Sequence, residues 1–392
     1  MIKRDLEKKL LNLAKWFPVV SVTGPRQSGK STLVKKAFQD YNYVNLEEPA
    51  TRQHALIDPT GFVSMLSKQT IIDEAQYAPE LFSAIQARVD KENDTGQFVL
   101  LGSQNFLLLS SIKQSLAGRV GIAKLLPLSF NELSAAEILP NNISEFCLQG
   151  GYPRLFANNI PKDIFYENYL DTYITRDVIE CLDVRNESVF RNFIKMCASR
   201  TGRILNISDL ARDLGITFST AQNWLSILES SYIVALLHPY SKNLGKRLIK
   251  SPKLYFYDTG LLCHLLNVRS AKQLCSHQLY GSIFENFVIA ERYKFHLNCL
   301  SVPNVMYYRD DSKIEVDMID ETDANEILVA EIKSGQTYRK QFSLHARKIA
   351  KLIGKNASSM VIYGGKGVFN DDGVKIYGVH EFLKESYTKA NT

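Results

Sequence analysis

The sequence contains no uninterrupted apolar run long enough to cross a bilayer, and its charged first residues lack the apolar core of a signal peptide. Its six cysteines are scattered and form no C-x-x-C pair, which argues against a disulfide framework and a standard zinc site. The net charge of +6 is mild and only permits nucleic-acid binding. We therefore expect a cytoplasmic protein without membrane association, and 392 residues with 45% hydrophobic content suggest two or three domains.

The most specific motif is a phosphate-binding loop. Residues 24–31 match G-x-x-x-x-G-K-[ST], between an apolar run at 17–22 and a helical pattern that begins at Ser31. In such a loop, consecutive backbone N–H groups and a helix N-terminus attract phosphate. The pattern predicts that ATP is held by Gly24, Pro25, Arg26, Gln27, Ser28, Gly29, Lys30, Ser31 and Thr32.

Individual roles follow from the same pattern. Lys30 is expected to reach the β- and γ-phosphates, and the Ser31 hydroxyl to ligate Mg²⁺. A second apolar run ends in Asp73 and Glu74, and ligands bind at the carboxyl ends of parallel strands. We therefore predict that Asp73 lies beside the metal and that Glu74 orients the attacking water as general base.

Two further positions are candidates around the nucleotide. After a third apolar run at 97–101, Ser103 or Gln104 could hydrogen-bond the γ-phosphate or the water, and the sequence does not choose between them. Arg119 is either a salt-bridge residue or a finger that stabilises transition-state charge in a neighbouring subunit. Both alternatives for Arg119 stand on sequence grounds.

Residues 207–228 have the pattern of a helix-turn-helix. Ser208 is expected to cap the first helix, Gly215 to make the turn, and Thr217 or Ser219 to cap the second helix. The second helix carries no Arg or Lys, which argues against strong reading of DNA bases. DNA contact and a packing role both remain open for this segment.

Two apolar runs at 232–237 and 254–257 predict a strand pair, so that the segment as a whole is expected to form a winged helix. Between the runs, residues 242–253 carry five positive charges and no acidic residue. Such a basic run is either a solvated loop or an arm that contacts phosphates.

The last third holds a second group of candidate residues. Glu285 lies on an amphipathic pattern, and Asp317 is expected to end the second strand of a hairpin. Glu331 and Lys333 are two residues apart on a strand and therefore share one face. Carboxylates with a lysine can hold a divalent metal and position hydroxide against a phosphodiester. We predict a catalytic group of Glu285, Asp317, Glu331 and Lys333, with the metal at Asp317 and Glu331.

The chain resembles, nearly end to end, AAA-family ATPases of the archaeal-ATPase-like type and the C-terminal half that is fused to them. The motifs that carry this resemblance are the phosphate loop, Asp73-Glu74, Gly102–Asn105, Leu116–Arg119, Gly150–Pro153, Leu254–Leu261, Phe284–Asn286, Tyr308–Asp310, Glu315–Asp317 and Glu331–Lys333. The terminal part resembles the restriction-endonuclease-like fold, whose pattern is Asp followed by Glu-x-Lys. Val316 replaces the proline that leads this pattern.

Pattern and resemblance together predict an α/β protein with four domains. These are a P-loop AAA-type parallel-sheet ATPase domain at 1–135, a helical lid at 136–195, a winged helix at 196–257 and a restriction-endonuclease-like domain at 258–392. The expected function is that of a Mg²⁺-dependent ATPase that acts on DNA as a homo-oligomer, in repair, mobile-element control or defence, with nuclease activity in its C-terminal domain. The alternative is an ATP-binding switch whose C-terminal half is a non-catalytic protein-interaction module.

Overall fold

The computed structural model describes residues 2–102, 115–174, 187–240, 251–323 and 325–390. The candidates Ser103 and Gln104, and the basic residues at 242–250, lie outside the described residues. Within the described ranges, no helix is both long and apolar enough to cross a bilayer. The chain divides into two compact units, the first made of Met1–Leu128, Ser230–Tyr232 and Leu297–Leu300, and the second of Ser129–Glu229, Ile233–His296 and Ser301–Thr392.

The first unit is built on a sheet with five described strands, all of which pair in parallel. They are β1 (Val19–Thr23), β2 (Asn42–Asn45), β3 (Thr70–Asp73), β4 (Phe98–Gly102) and β5 (Val120–Lys124). Their order is β2-β3-β4-β1-β5, so β4 lies between β1 and β3. Every residue of β1, β3 and β4 is buried, which explains their mostly apolar sequences. The predicted parallel α/β sheet is confirmed.

Helices cover both faces of this sheet. The helices are α1 (Glu7–Trp16), α2 (Lys30–Ala37), α3 (Pro49–Ile57), α4 (Pro59–Met65) and α5 (Leu81–Glu92). Side chains alternate along β1, so Val20 and Val22 join one core with α1 and α2, whereas Val19 joins the other core with α4 and α5. Because both faces are covered, the open edge at the carboxyl ends of the strands is the place where a ligand can reach the backbone.

The second unit begins with a series of helices, and a buried carboxylate, Asp258, fixes the turn between two of them. These helices are α6 (Phe130–Ala135), α7 (Ile143–Gln149), α8 (Pro153–Ala157), α9 (Lys162–Tyr169) and α10 (Glu187–Ser199). Asp258 accepts hydrogen bonds of 2.7 Å from the Gly151 amide and of 2.7 Å from the Tyr166 hydroxyl. A Cβ atom on Gly150 would lie 2.1 Å from that hydroxyl oxygen. The motif Gly150–Pro153 therefore has a clear packing role.

Two helices joined at Gly215 come next, α11 (Ile207–Leu214) and α12 (Phe218–Ser230). Gly215 has a left-handed φ of 65°, and the Thr217 hydroxyl accepts a backbone hydrogen bond of 3.1 Å in the first turn of α12. The prediction that Ser208 caps α11 is wrong. Asn206 is the cap and accepts a hydrogen bond of 3.0 Å from the Ser208 amide, because the helix begins two residues earlier than we expected.

An antiparallel strand pair follows these helices, formed by β6 (Val234–Leu237) and β7 (Lys253–Phe256). The second strand begins one residue earlier than its apolar run indicated, and this shift includes Lys253 in the sheet. Three further helices lead to the last part of the chain, namely α13 (Thr259–Leu265), α14 (Ala271–Ser276) and α15 (Tyr280–Asn298).

The last part is a six-stranded mixed sheet in the described chain. Its strands are β8 (Val305–Arg309), β9 (Glu315–Asp320), β10 (Ile327–Lys333), β11 (Ala357–Tyr363), β12 (Val368–Asp371) and β13 (Val374–Gly378), in the order β12-β13-β11-β10-β9-β8. Helix α16 (Leu344–Ile353) precedes β11, and α17 (Val379–Ala390) follows β13. The prediction that Asp317 ends a strand is wrong, because β9 continues to Asp320, which pairs with Leu328.

The buried carboxylate of Asp320 links this sheet to α15. Its Oδ2 atom lies 2.7 Å from His296 Nε2 and also accepts a hydrogen bond from the Arg292 guanidinium. Burial alone would raise the pKa of Asp320. The hydrogen bond with His296 and the charge of Arg292 outweigh burial and hold this pKa below its usual range.

We predict that Asp320→Asn destabilises the fold by about 3–5 kcal/mol near neutral pH, the usual cost of breaking a buried ion pair. A carboxylate with a depressed folded pKa stabilises the fold above its unfolded pKa, and this contribution is lost as the pH falls through the folded pKa. The variant should therefore also show a flatter loss of stability in acid. Urea unfolding from about pH 3 to about pH 7 measures both effects.

The matched control is Asp213→Asn, which breaks a more exposed ion pair with Arg200. Exposed pairs contribute little, so this variant should change the free energy of unfolding much less. Two results would contradict the stabilising role of the Asp320 carboxylate. One is an equal loss of unfolding free energy in the two variants, and the other is a decrease of stability in acid that Asp320→Asn leaves unchanged.

Candidate functional site

The predicted phosphate loop connects β1 to α2 and has a strained backbone. Gly24, Gln27 and Gly29 have positive φ angles of 148°, 60° and 91°. A Cβ atom at Gly24 would lie 2.1 Å from the Leu125 carbonyl oxygen, so only glycine fits there. The loop conformation therefore depends on the glycines of the motif, as the sequence pattern requires.

Two polar side chains of the loop are buried. Lys30 is 8% exposed, and its Nζ atom donates hydrogen bonds of 2.9 Å to each of the Gly24 and Pro25 carbonyl oxygens. The Ser28 hydroxyl is fully buried and has no hydrogen-bond partner. A buried polar atom without a partner is costly in a folded protein. The loop thus already holds a cation in place and carries an unsatisfied hydroxyl, and both features fit a phosphate ligand.

Arg4 fixes the loop from outside the motif. Its guanidinium donates hydrogen bonds of 2.7 Å to the Ser28 carbonyl oxygen and of 2.7 Å to the Leu126 carbonyl oxygen. Arg4 is only 5% exposed. Sequence reasoning missed this residue, since a lone arginine before the first helix of a chain carries no pattern of its own.

The two acidic candidates lie at the carboxyl end of β3. The Asp73 carboxylate is 6% exposed and accepts hydrogen bonds from the Tyr43 hydroxyl, at 2.7 Å, and from the Glu74 amide, at 3.0 Å. Glu74 itself has a left-handed φ of 54°, and its carboxylate accepts a hydrogen bond from Gln76. Burial, followed by the hydrogen bond to Asp73, raises the pKa of Tyr43. Tyr43 and Gln76 are contacts that the sequence did not indicate.

Arg119 forms a bidentate ion pair with Asp90, with 2.8 Å between Nη2 and Oδ2. Both side chains are partly exposed. The structure therefore contains the salt bridge, one of the two alternatives for Arg119. The role of a finger toward a neighbouring subunit stays a prediction.

The candidate residues of the C-terminal half lie close together. Their carboxylates contact lysine ammonium groups. The Lys333 ammonium lies 3.0 Å from Asp317 Oδ2 and also forms an ion pair with Glu331. The backbone amide of Ile332 donates a further hydrogen bond of 2.8 Å to Asp317. The same-face arrangement of Glu331 and Lys333 beside Asp317 is thus present as the alternation along β10 indicated.

A second lysine, which is buried, completes the cluster. Lys253, at the start of β7, is 2% exposed and lies 3.1 Å from Glu285 Oε1 and 2.6 Å from Glu315 Oε1. Tyr255, on the same face of β7, also donates a hydrogen bond to Glu285. Both interpretations of the basic run are therefore wrong for Lys253, which lies neither in a solvated loop nor in an arm. We call Lys253, Glu285, Glu315, Asp317, Glu331 and Lys333 the lysine–carboxylate cluster.

Asn286 positions β7 against α15. Its side chain accepts a hydrogen bond of 2.7 Å from the Phe256 amide and donates one of 2.8 Å to the Phe256 carbonyl oxygen. Asn286 is completely buried. The adjacent residues Glu285 and Asn286 thus fix the side chains and the backbone of one strand, which explains why they occur together in the sequence.

The pKa values of the cluster reflect burial and shared charge. Burial, then the charge of Asp317, raises the pKa of Glu285 to about 7 and the pKa of Glu331 to about 8. Burial opposes ionisation of Asp317 as well, but the charges of Lys333 and Lys253 and the Ile332 amide lower its pKa. Of Glu285, Asp317 and Glu331, Asp317 is therefore the one that stays ionised most easily.

As arranged, the cluster does not fit a divalent ion. The Lys333 ammonium lies between Asp317 and Glu331, and the Lys253 ammonium lies between Glu285 and Glu315. Across the described ranges, no group of three or more His, Cys, Asp or Glu side chains has an arrangement that could hold a metal ion. The negative charge is compensated within the chain itself.

Three segments of the chain match known protein families. Residues 17–134 match the AAA domain, residues 140–272 match a domain of unknown function (DUF8612), and residues 280–382 match another domain of unknown function (DUF4143). The first match covers the sheet and phosphate loop of the first unit. This unit is thus an AAA-type ATPase domain, whose general chemistry is nucleotide binding and hydrolysis.

Among solved structures, the chain is similar to the Walker-type ATPase PABY2304 of Pyrococcus abyssi, with 15% identity and a TM-score of 0.44 over 68% of this chain and 96% of the other. It is also similar to the ORC2 protein of Aeropyrum pernix, with 13% identity and a TM-score of 0.32 over 68% of this chain and 93% of the other. Likenesses at these TM-scores say nothing about activity.

Among curated proteins, "Uncharacterized protein Rv2008c" of Mycobacterium tuberculosis is 34% identical over 327 residues, which is 81% of this chain and 70% of the relative. "Uncharacterized protein Mb2031c" of Mycobacterium bovis matches to the same extent. Identity at this level over most of both chains shows common descent, and the chain belongs to the same protein family as these two mycobacterial proteins.

Proposed function

We propose that this protein is a Mg²⁺-dependent ATPase that acts on DNA. The observation that carries the proposal is the phosphate loop, in which backbone strain, the held ammonium of Lys30 and the unsatisfied hydroxyl of Ser28 coincide. The strained backbone and the unsatisfied hydroxyl are costly without a ligand, and the ammonium of Lys30 places a positive charge where a phosphate group is favourable.

The residues of the loop would divide the work of binding. Backbone N–H groups from Gly24 to Thr32 would face the phosphate oxygens, and Lys30 would exchange its carbonyl partners for the β- and γ-phosphates. Ser31 and Asp73 would hold Mg²⁺, which when bound neutralises charge on those oxygens. Glu74 would orient the attacking water as general base.

Action on DNA is supported by the second unit. The helices α11 and α12 with the strand pair β6–β7 have the element order of a winged helix. The following mixed sheet carries Asp317, Glu331 and Lys333 in the arrangement that the restriction-endonuclease-like resemblance implies. A lysine that contacts two carboxylates can also contact a phosphodiester.

A second candidate function is a nucleotide-driven switch whose C-terminal half does not cleave DNA. The specific observation in its favour is the charge compensation by Lys253 and Lys333, which leaves no position for a metal between the carboxylates. The two candidates share the nucleotide site. They differ in the partner of the C-terminal half, which is DNA in the first candidate and another protein in the second, and in the chemistry of the lysine–carboxylate cluster.

We predict that Mg-ATP raises the melting temperature and is hydrolysed slowly. Nucleotide at about one hundred times its dissociation constant should stabilise the fold by about 2.7 kcal/mol. Lys30→Ala should abolish this shift. Glu74→Gln should keep the shift and lose turnover, because it retains the shape of the side chain and removes the base. The absence of any thermal response to Mg-ATP in a folded wild-type sample would contradict nucleotide binding.

We predict that Arg119 acts in trans when the protein self-associates with nucleotide. An arginine finger contributes about 10³ to 10⁵ in rate, so Arg119→Ala should reduce turnover and leave nucleotide affinity nearly unchanged. Asp90→Asn is the matched control, since it breaks the same ion pair and keeps the arginine. The measurement is ATPase activity per subunit across a protein dilution series. Equal losses in both variants, or activity that does not change on dilution of a monomer, would rule out the finger.

We predict that the wild-type cluster gives no Mn²⁺ binding heat beyond that of Asp317→Ala, because the lysines already compensate its charge. Calorimetric titration with Mn²⁺ measures this, alongside cleavage assays on linear, branched and single-stranded DNA. Metal heat and cleavage that Asp317→Ala and Lys333→Ala both abolish would contradict the switch and establish the predicted nuclease.

A further inference from the structure

The segment from Ile332 to Asn370 contains no acidic residue, although 41 of the 392 residues of the chain are Asp or Glu. Over the same 39 residues there are eight lysines and arginines. Clustering of one charge sign over such a length is the electrostatic footprint of a partner with the opposite charge. The question is where these charges lie in the fold.

Most of this charge lies on the outer face of α16 and at the two ends of the helix. The helix buries Ala346, Ile349 and Ala350 against the sheet. On its outer side, Lys348 and Lys351 are exposed, and Lys355 is exposed just beyond the end of the helix, after Gly354 with its φ of 122°. The i, i+3 spacing places Lys348 and Lys351 on the same side of the helix.

Two more cations precede the helix. Arg339 and Lys340 are exposed at the short 3-10 turn that leads into α16. Among the residues that the structure describes, no acidic side chain forms an ion pair with any of these five cations. We call Arg339, Lys340, Lys348, Lys351 and Lys355 the α16 basic surface.

The first turn of α16 lies beside the lysine–carboxylate cluster. His345, in the first turn of α16, lies 3.1 Å from the Glu315 carbonyl oxygen and 3.6 Å from the Glu331 carboxylate. Lys333 ends the strand β10, against which α16 packs, and is one third exposed. A polyanion along α16 would therefore reach the exposed edge of the cluster.

The surroundings of the surface favour duplex DNA over other polyanions. An anionic membrane is disfavoured because the apolar face of α16 at Ala346, Ile349 and Ala350 is covered by the sheet. Leu344 and Leu352 are exposed at the two ends of the helix and do not form a continuous apolar face. Single strands are bound by aromatic rings that stack on bases. Here the rings of Tyr338, Tyr363 and Phe369 pack on one another. A small anion would need converging groups, whereas these cations are spread from the turn before α16 to the residues just after it.

The neighbouring acids do not cancel this charge. Asp371 accepts a hydrogen bond of 2.7 Å from the Tyr338 hydroxyl, and Asp372 forms an ion pair with Arg347. Both acids are thus engaged at the side of the helix by residues outside the α16 basic surface. The positive charge of the α16 basic surface therefore remains available to a negatively charged partner.

We propose that the α16 basic surface binds the sugar-phosphate backbone of double-stranded DNA and guides it to the lysine–carboxylate cluster. The inference rests on the proposed action on DNA and adds where the duplex is held. Contacts of this kind go to phosphates, so binding is tolerant of sequence and falls steeply with salt.

The test is the salt dependence of binding to a fluorescent DNA duplex, measured without nucleotide for the full chain. The variant Lys348→Gln, Lys351→Gln, Lys355→Gln should bind more weakly, and its log–log salt slope should be flatter by about one unit per lost contact. The matched control is Lys8→Gln, Lys195→Gln, Lys272→Gln, which removes the same charge from exposed positions elsewhere and should keep the wild-type slope.

The outcomes separate this inference from the function on which it rests. A wild type that binds no duplex would contradict the proposed action on DNA itself. A wild type that binds duplex, with an unchanged slope in the α16 variant or an equal change in the control, would overturn the inference alone. The inference would also be overturned if the salt slope of duplex binding became flatter only in a variant that neutralises Lys246, Arg247 and Lys250. If the wild type bound single-stranded DNA or vesicles of anionic lipid more strongly than duplex DNA, the inference would be overturned, and the surface would be assigned to that ligand.

Discussion

Charge compensation by Lys253 and Lys333 is the constraint on which the C-terminal half of this protein depends. Four carboxylates meet where α15 faces strands β9 and β10; Asp317 and Glu331 are buried, and Glu285 is mostly buried. Buried carboxylates repel one another and lose hydration, a cost of several kcal/mol per ion unless counter-charges are present. The chain supplies those charges itself, from β7 and from β10. Because each lysine contacts two carboxylates, the strand pair, helix α15 and the mixed sheet are joined by the same interaction.

The two halves of the chain handle negative charge in opposite ways. In the AAA domain, a strained loop presents backbone N–H groups and Lys30, so an anion stabilises it. In the C-terminal half, the carboxylates of the cluster are already paired with lysines, and cations that have no ion pair within the described ranges lie outside it, around α16. A phosphate-rich partner can therefore bind at both places for the same electrostatic reason. Under the proposed function, Mg²⁺ would be held at Ser31 and Asp73, whereas a metal ion in the C-terminal cluster would have to displace a lysine.

Local patterns predicted the fold well where one element determines it. The phosphate loop, the parallel sheet and the shared face of Glu331 and Lys333 follow from spacing within a few residues, and all are present. The prediction failed where distant segments meet. Lys253 was counted with a basic run because its neighbours in sequence are basic. Its burial follows from the packing of β7 against α15, where it contacts Glu285. The cap at Asn206 and the length of β9 were missed because backbone pairing extends beyond the apolar residues that mark an element. The α16 basic surface was visible in the sequence as an absence of acids over 39 residues, a signal that motif matching passes over.

The most direct test of this account is ATP turnover with and without DNA. The account joins a nucleotide site in the AAA domain to a DNA site in the C-terminal half, so it predicts that duplex DNA changes the steady-state rate of hydrolysis. The change should be absent in the Lys348→Gln, Lys351→Gln, Lys355→Gln variant, whose DNA-free rate should equal that of the wild type, and Lys30→Ala should be inactive with or without DNA. A wild-type rate that is the same with duplex, branched, single-stranded and no DNA, at low salt and with the protein in excess of any binding constant, would contradict the central claim.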